Sequence, residues 1–266
     1  MTAIGIDLGT NNSRIAYNTS GPNEIPSFEL LLNDQTGKST TPTLVSFTDD
    51  SILIGEEARK VYADKPENAI YGIKPMLGRR YYEIEKLFRN CPFKISYDSD
   101  GWPIVEITQN GKVEMYSPEE MMSFIFGELN NMVTSRAGKE KSCVITVPAK
   151  STSSQRAAMK RVAEISGFNV LKVITEPVAA TVYALHQVPF QNGKILVCYF
   201  GASTLDICVI EVENKKSFTV KSIAGDSSLG GSEIDRFIME EMMDRFTEQH
   251  PDLDPSKSPR SLALLR

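Results

Sequence analysis

The sequence predicts an α/β fold in two lobes that face each other across a cleft. Strand-like and helix-like segments alternate between residues 142 and 186, an order typical of a sheet layered with helices. A hairpin pattern near the start of the chain also recurs, so that Asp7 and Tyr199 occupy matching places 192 positions apart. Solenoids repeat every 20–50 residues or so, about a quarter of this spacing or less, and the long-range repeat therefore favours two similar lobes.

The composition excludes some classes of function. The chain has 266 residues, of which 41% are hydrophobic and 24% charged, enough for one large domain or two modest lobes. Acidic residues outnumber basic ones by 34 to 29, and the basic ones are scattered, which disfavours nucleic acid as a partner. The chain starts without a basic leader and its apolar runs are too short to span a bilayer, so we expect a cytoplasmic protein with no membrane partner.

The four cysteines carry no metal or disulfide pattern. Cys91, Cys143, Cys198 and Cys208 include no close pair, and the last three lie in strand-like apolar runs. A buried thiol in such a run behaves as a small hydrophobe. We therefore expect reduced cysteines in preference to zinc ligands or disulfides.

The first half of the chain opens with a hairpin and then becomes irregular. Strands are predicted at 3–7 and 14–18, separated by Leu-Gly-Thr-Asn-Asn, in which Gly and Asn tolerate left-handed backbone angles. Short strands such as 43–47 and 104–107 follow, with a helix at 56–64. This mixture indicates an inserted subdomain.

The middle of the chain contains the regular alternation. Ser117, Pro118 and Glu120 form a capping-box pattern that predicts a helix start. A strand at 142–147, a helix at 154–166 closed by Gly167, a strand at 170–174 and a helix at 177–186 are predicted next.

The last third repeats the opening pattern. Strands near 194–200 and 205–212 flank the turn at 201–203, and a strand at 217–224, a Gly-rich loop and a helix at 232–248 follow. The Pro- and Ser-rich tail indicates a truncation point. We assign 1–38 and 117–190 to a first-lobe core, 39–116 to its inserted subdomain, 191–230 to the start of a second-lobe core and 231–266 to a partial second-lobe subdomain.

The two turns suit a phosphate ligand. Small residues in a tight turn expose successive backbone N–H groups, which make a concave anion site, and two opposed turns can clamp one polyphosphate. A carboxylate beside such a turn, such as Asp7, can order the waters of a hydrated Mg²⁺. The alternative for a single hairpin is a structural turn with an incidental aspartate.

The chain resembles the seventy-kilodalton heat-shock chaperones. The resemblance rests on seven strings in order and at similar spacing, namely GIDLGT, TTPTLVSF, GIKPMLGRR, VITVPA followed by SSQR, EPVAA, GAST and AGDSSLGG. It implies a two-lobed actin-like, ribonuclease H-like ATPase fold whose second lobe is incomplete here. It also implies ATP or ADP and Mg²⁺ as cofactors, and a J-domain protein and a nucleotide exchange factor as co-chaperone partners.

The resemblance assigns roles to residues of the first lobe. Asp7, Gly9 and Thr10 match the first phosphate loop, whereas Asn11 and Asn12 depart from the usual Thr and Tyr and are expected to weaken the grip on phosphate. The catalytic lysine corresponds to Lys74, although Pro75 restricts the backbone of the residue before it. Glu176 matches a glutamate that orders the metal's waters, and Pro148 a switch proline; a carboxylate at a helix start is also stabilised by the helix dipole alone.

The second phosphate loop departs further from the family pattern. Its residues are Gly201, Ala202, Ser203 and Thr204, followed by Asp206, which with Asp7 and Glu176 is expected to order the waters of Mg²⁺. Tyr199 replaces the first aspartate and is neutral at pH 7. Water-ordering groups contribute about 10²- to 10⁴-fold in rate, so hydrolysis is expected to fall below the family norm. Ala202 and Ser203 replace glycines, at a cost of about 1–2 kcal/mol if either must be left-handed.

Gly230 and Gly231 match the loop near the nucleotide's sugar, although paired glycines before a helix are also an ordinary turn.

Three functions are compatible with the residues of the two turns and their neighbours. The leading one is an ATP- or ADP-binding chaperone domain with weakened hydrolysis. The second is a catalytically silent module that binds co-chaperones. A small-molecule kinase on the same fold is the third, and no sequence feature supplies its acceptor site.

Overall fold

The computed structural model describes residues 4–21, 27–33, 36–137 and 141–265. The strands in these ranges are β1 (Ile4–Leu8), β2 (Asn12–Asn18), β3 (Phe28–Leu30), β4 (Thr41–Pro42), β5 (Leu44–Phe47), β6 (Ile52–Ile54), β7 (Ala69–Tyr71), β8 (Lys94–Tyr97), β9 (Pro103–Gln109), β10 (Lys112–Tyr116), β11 (Ser142–Val147), β12 (Asn169–Thr175), β13 (Gly193–Phe200), β14 (Leu205–Glu213) and β15 (Ser217–Asp226). The helices are α1 (Glu56–Val61), α2 (Tyr81–Ile84), α3 (Pro118–Ala137), α4 (Ser153–Ile165), α5 (Glu176–Gln187), α6 (Gly231–Gln249) and α7 (Pro259–Leu265). Ala3, where the first predicted strand begins, lies outside the described ranges.

The largest sheet joins the first hairpin to two strands from the middle of the chain. Its order is β12-β11-β1-β2-β3, and β4 pairs with the first residues of β2. β1 is antiparallel to β2 but parallel to β11, which is in turn parallel to β12. Parallel neighbours need a crossover, and α4 provides it between β11 and β12. The predicted hairpin and the predicted strand–helix alternation are both confirmed.

A large apolar core lies between this sheet and its helices. Ile6 and Leu8 of β1 belong to the same buried cluster as Phe126 of α3. Helix α3 starts where its capping box predicts, because the Ser117 backbone N–H donates to Glu120 Oε2 at 2.7 Å and the Glu120 N–H donates to Ser117 Oγ at 3.2 Å. The core therefore fixes the sheet edge from which the first turn projects.

The predicted inserted region contains two small sheets, ordered β6-β5-β7 and β10-β9-β8. Helix α1 ends at Val61, three residues before the predicted end at 64. Phe47, Ile70 and Val105 from these sheets belong to the same buried cluster as β1, which ties the region to the main sheet. The division into lobes and subdomains stays our proposal.

The last third of the described chain forms a separate antiparallel sheet with the order β13-β14-β15. Cys208, Ile210 and Val212 of β14 are buried against Leu185 of α5. On β13, by contrast, Leu196 is 69% exposed. Helix α6 has no buried residue, so this sheet is much less covered than the first.

The cysteines agree only in part with the prediction from the sequence. All four cysteines are free thiols, as expected. Cys198, however, is exposed rather than buried, because it lies on the face of β13 that the described residues leave uncovered.

The tail forms α7, and the Tyr62 hydroxyl donates a hydrogen bond to the Ala263 carbonyl of that helix. Within the described ranges, no helix combines the length and apolar character needed to cross a membrane.

Candidate functional site

The first turn is held by Thr43, which lies between β4 and β5. Thr43 Oγ1 donates to the Gly9 carbonyl at 2.9 Å, and the Thr43 N–H donates to the Asn11 carbonyl at 2.9 Å. A Cβ on Gly9 would lie well inside van der Waals contact with the Asn12 carbonyl oxygen, so a side chain cannot be added without moving the turn. Thr43 was not among the predicted site residues, although it lies in TTPTLVSF, one of the seven strings on which the family resemblance rests.

The second turn is held by the start of α6. The Gly231 N–H donates to the Gly201 carbonyl at 3.0 Å, and the Ser232 N–H donates to the Ala202 carbonyl at 2.8 Å. A Cβ on Gly230 would overlap the Ala202 carbonyl. The predicted sugar-end glycines therefore pack directly against the turn and also position it.

Neither turn uses the left-handed backbone that its glycines and asparagines suggested. The non-glycine residues with positive φ in the described chain are Asn110, Asn214 and Lys215, all outside the two turns. The strain that a left-handed backbone would cause at Ala202 and Ser203 is therefore absent. The requirement for glycine at position 9 comes from a close backbone approach instead.

The fold brings the two turns into contact. Thr10 Oγ1 and Ser203 Oγ are 2.7 Å apart and share a hydrogen bond, although the two residues are 193 positions apart in the chain. Thr10 and Thr204 are both buried at 9% exposure. The repeat that the sequence revealed thus becomes two opposed turns on either side of one narrow gap.

Lys74 and Glu176 form a buried ion pair beside the turns. Lys74 Nζ lies 2.5 Å from Glu176 Oε1, and the side chains are 8% and 6% exposed. Lys74 starts a short 3₁₀ turn with Pro75 in its second position, where a proline is tolerated because the N–H is not needed. Burial raises the pKa of Glu176, with Asp7 and Asp206 acting in the same direction and Lys74 opposing them.

The two aspartates are each bonded to the segment that ends β11. Thr146 Oγ1 donates to Asp7 Oδ1 at 2.9 Å, and the Ala149 N–H donates to Asp206 Oδ2 at 2.9 Å. Pro148 lies between these two donors in the chain, so the segment of the expected switch proline contacts both turns. Thr146 and Ala149 were not predicted, yet the parallel pairing of β11 with β1 accounts for the first of them.

Tyr199 lies among the acidic residues of the gap. It pairs with Asp206 across β13 and β14 and is half-buried. Burial raises the pKa of the Tyr199 phenol above its ordinary value of 10.0, and the Asp7 and Glu176 carboxylates raise it further. The phenol is therefore neutral over the whole physiological pH range.

The remaining predicted residues are the two asparagines of the first turn. Asn11 Oδ1 is buried and has no hydrogen-bond partner, one of two such side-chain atoms in the described residues. A half-turn of this amide would present its NH₂ donors in place of the oxygen. Asn12 is exposed at the start of β2. Of the two asparagines, Asn11 alone has a buried side-chain oxygen without a hydrogen-bond partner.

A small cavity adjoins the lysine. Its lining includes Lys74, Arg79, Pro148, Ser203 and Thr204, and its volume of about 30 Å³ has room for about two waters. The lining includes cations and hydroxyl groups, which suits water or an anionic oxygen.

The chain is similar to known proteins over almost its whole length. The family model described as Hsp70 protein matches residues 3–266. The chain is 34% identical to a heat shock 70 kDa protein of Emericella nidulans and 34% identical to heat shock 70 kDa protein 2 of Paracoccidioides lutzii, each over 99% of this chain and 40% of the relative. It is 35% identical to the ribosome-associated molecular chaperone SSB of Candida glabrata, over 99% of this chain and 42% of that protein. The chain thus spans about two fifths of the length of these relatives.

Proposed function

We propose, from the premise that this chain belongs to the Hsp70 protein family, that its two opposed turns bind the phosphates of ATP or ADP. The family match confirms the α/β, two-lobed actin-like ATPase fold expected from the sequence. The observation that carries the proposal is the meeting of Thr10 and Ser203 across the gap, because it brings both phosphate-loop candidates to one place.

The turns offer the donors that a polyphosphate needs. The Thr10 and Ser203 hydroxyls meet from the two sides of the gap, and tight turns beside such hydroxyls can add backbone N–H groups to form an anion site. The buried Oδ1 of Asn11 has no hydrogen-bond partner, and a half-turn of this amide would offer its NH₂ group as a further donor in the first turn. We assign phosphate contacts to Gly9, Thr10, Asn11, Asn12, Gly201, Ala202, Ser203 and Thr204, with Gly230 and Gly231 towards the sugar.

Lys74 is the residue we assign to hydrolysis. Its ammonium lines the small cavity with Thr204, so it could hold an attacking water and stabilise charge on the transferred phosphoryl group. In the structure it is paired with Glu176, and release of that pair would be part of activation. Because Tyr199 supplies no charge, we expect slow turnover.

We expect the site to hold Mg²⁺ through the ion's waters. Asp7, Glu176 and Asp206 are the carboxylates expected to order these waters. Each accepts a hydrogen bond at one oxygen, from Thr146, Lys74 and Ala149, respectively, and keeps its second oxygen for a water. In the part of the chain that the structure describes, no three His, Cys, Asp or Glu side chains are grouped to hold a metal ion directly. We derive no catalytic step through the metal.

The wider role is that of a heat-shock-type chaperone in the cytoplasm. In that role, nucleotide turnover would be coupled to a peptide-binding domain and regulated by a J-domain protein and a nucleotide exchange factor. These assignments rest on the family alone, and a pull-down with a purified J-domain would test the first of them.

A second candidate function is a catalytically silent interaction module. Tyr199 favours it, because a neutral phenol replaces a carboxylate at the centre of the site. The two candidates differ in one measurable quantity, which is the affinity for nucleotide.

The test is calorimetric titration of the chain with ADP and ATP. We expect dissociation constants in the micromolar range or below. Replacing Thr10 and Thr204 together by Ala should weaken binding, whereas Thr219→Ala, at an exposed site on β15, should leave it unchanged. Absence of binding by the natural chain would overturn the proposal and favour the silent module.

A further inference from the structure

Arg79 is a second cation beside the two turns, and the sequence assigned it no role. It lines the same small cavity as Lys74, Ser203 and Thr204. Among the described residues that line this cavity none is a carboxylate, so its only two charged side chains are both positive. A cavity with two cations and hydroxyl groups from the second turn suits an anionic oxygen.

The guanidinium of Arg79 is not engaged by any protein group in the part of the chain that the structure describes. It forms neither an ion pair nor a side-chain hydrogen bond there, although the side chain is half-buried. Burial lowers the pKa of Arg79, and Glu83 acts in the opposite direction. The Glu83 carboxylate instead accepts the Arg80 backbone N–H at 2.7 Å. A guanidinium has five N–H donors, so an anion that enters the cavity meets donors that the protein leaves free.

Lys74 offers less free charge to the cavity than Arg79 does. Its ammonium lies 2.5 Å from Glu176 Oε1, so the two side chains together carry little net charge while the pair is closed. Arg79 is therefore the cation of this lining whose charge is available without the opening of an ion pair.

Close packing fixes the backbone just before Arg79. Gly78 has a φ of 62°, and a Cβ at this position would lie 2.8 Å from the Gln155 backbone nitrogen in the first turn of α4. Gln155 also lines the cavity. The approach holds the Arg79 backbone beside the N-terminal end of α4, where the helix dipole adds a partial positive charge.

The neighbouring arginine is used differently. Cζ of Arg80 lies 3.8 Å from the centre of the Trp102 ring, and its Nη1 donates to the Asp100 carbonyl. Arg80 is not among the described residues that line the cavity. The two adjacent arginines thus form a natural comparison, because one has free donors beside the cavity and the other is engaged with a surface loop.

We infer that Arg79 contacts the terminal phosphate of ATP and contributes to the selection of ATP over ADP. The inference rests on the proposed function, in which the two turns hold the phosphates and Lys74 acts on the transferred phosphoryl group. Because the cavity adjoins Lys74 and Thr204, it receives the group that ATP has and ADP lacks. Its volume of about 30 Å³ holds about two waters, which suits oxygens of one phosphoryl group and excludes a base or a sugar.

The experiment compares calorimetric titrations of ATP and ADP, both with MgCl₂ and on cooled samples so that hydrolysis stays slow. Arg79→Gln keeps a polar side chain without the charge. We expect ATP to bind this variant about tenfold more weakly than the natural chain, the effect of one lost hydrogen bond to a charged group. The dissociation constant for ADP should change by less than about threefold, because ADP does not reach the cavity.

Arg80→Gln is the matched control, since it removes the same charge from the next residue. It should leave the dissociation constants for both nucleotides unchanged. Arg79→Lys keeps the charge without the planar fork of donors, so it should weaken ATP binding by about threefold and leave ADP binding unchanged. Circular dichroism would establish that the variants fold, and Arg79→Lys decides the question if Arg79→Gln does not.

The outcomes separate this inference from the proposed function. Equal losses for ATP and ADP in the folded Arg79 variants, or no loss for either, overturn the inference and leave the proposed function standing. A loss for ATP in Arg80→Gln as large as that in Arg79→Gln also overturns it, because the effect would then follow net charge. Failure of the natural chain to bind either nucleotide overturns the proposed function and this inference with it.

Discussion

The two turns have the same hairpin pattern but differ in what holds them and in the charge they carry. The first is braced by Thr43, between β4 and β5, and keeps Asp7, whereas the second is braced by the start of α6 and has Tyr199 in the matching place. Both copies thus keep a hairpin turn, while the charge beside it differs. The comparison indicates that the hairpin of such a repeat does not depend on the acidic residue beside its turn.

The largest effect on stability is expected at the buried ion pair between Lys74 and Glu176. Lys74→Met should destabilise the protein by about 3–5 kcal/mol, because Glu176 is left as an unpaired buried carboxylate. Lys74→Met combined with Glu176→Gln should recover much of this loss. Urea denaturation of the two variants measures both values, and equal losses in the single and double variants would contradict the pairing.

The same pair predicts a pH dependence. Since the pKa of Glu176 is raised above its ordinary 4.5 in the folded protein, the folded state binds the proton more tightly than the unfolded state does. This carboxyl's contribution to stability is therefore present below pH 4.5 and lost as the pH rises through the folded pKa. Glu176→Gln should remove that decline, which denaturation at a series of pH values would detect.

A glycine comparison tests how differently the turns are built. Gly9→Ala should destabilise the protein by about 2 kcal/mol, because the added Cβ collides with the Asn12 carbonyl. Gly201→Ala is the counterpart in the second turn, where the nearest atom to the added Cβ is 3.4 Å away, and it should cost less than about 0.5 kcal/mol. Similar thermal denaturation curves for the two variants would remove the distinction.

The contact between the turns should have a smaller effect. Ser203→Ala removes the hydrogen bond to Thr10, and a net bond of about 1 kcal/mol corresponds to a change of about fivefold in an equilibrium. Because Ser203 is also one of the proposed phosphate contacts, loss of its hydroxyl should weaken ADP binding by up to about fivefold. Ser227→Ala, at a serine of the same cavity, is the control that should bind unchanged.

The smallest effect is expected at the asparagines of the first turn. Asn11→Thr removes a buried oxygen without a partner and should stabilise the protein by up to about 1 kcal/mol. Asn12→Thr changes an exposed position and should stay within about 0.5 kcal/mol of the natural chain. A loss of stability in Asn11→Thr would show that the amide has a partner in solution.

Most helices and strands, and the two turns, were predictable from local sequence patterns. The capping box at Ser117, the alternation after residue 142 and the repeated hairpin depend on local spacing, and local spacing is what hydrophobic periodicity and turn chemistry report. The family strings added residue roles, which remain proposals until tested.

The contacts between distant residues became visible in the folded structure. It paired Lys74 with Glu176, joined Thr10 to Ser203, bonded the two aspartates to the end of β11, and exposed Cys198 on an uncovered face. It also showed that Gly9 is required by a close backbone approach, without the left-handed angles that Gly and Asn tolerate. These outcomes depend on distances between residues far apart in the chain, and one sequence's local pattern contains no measure of them.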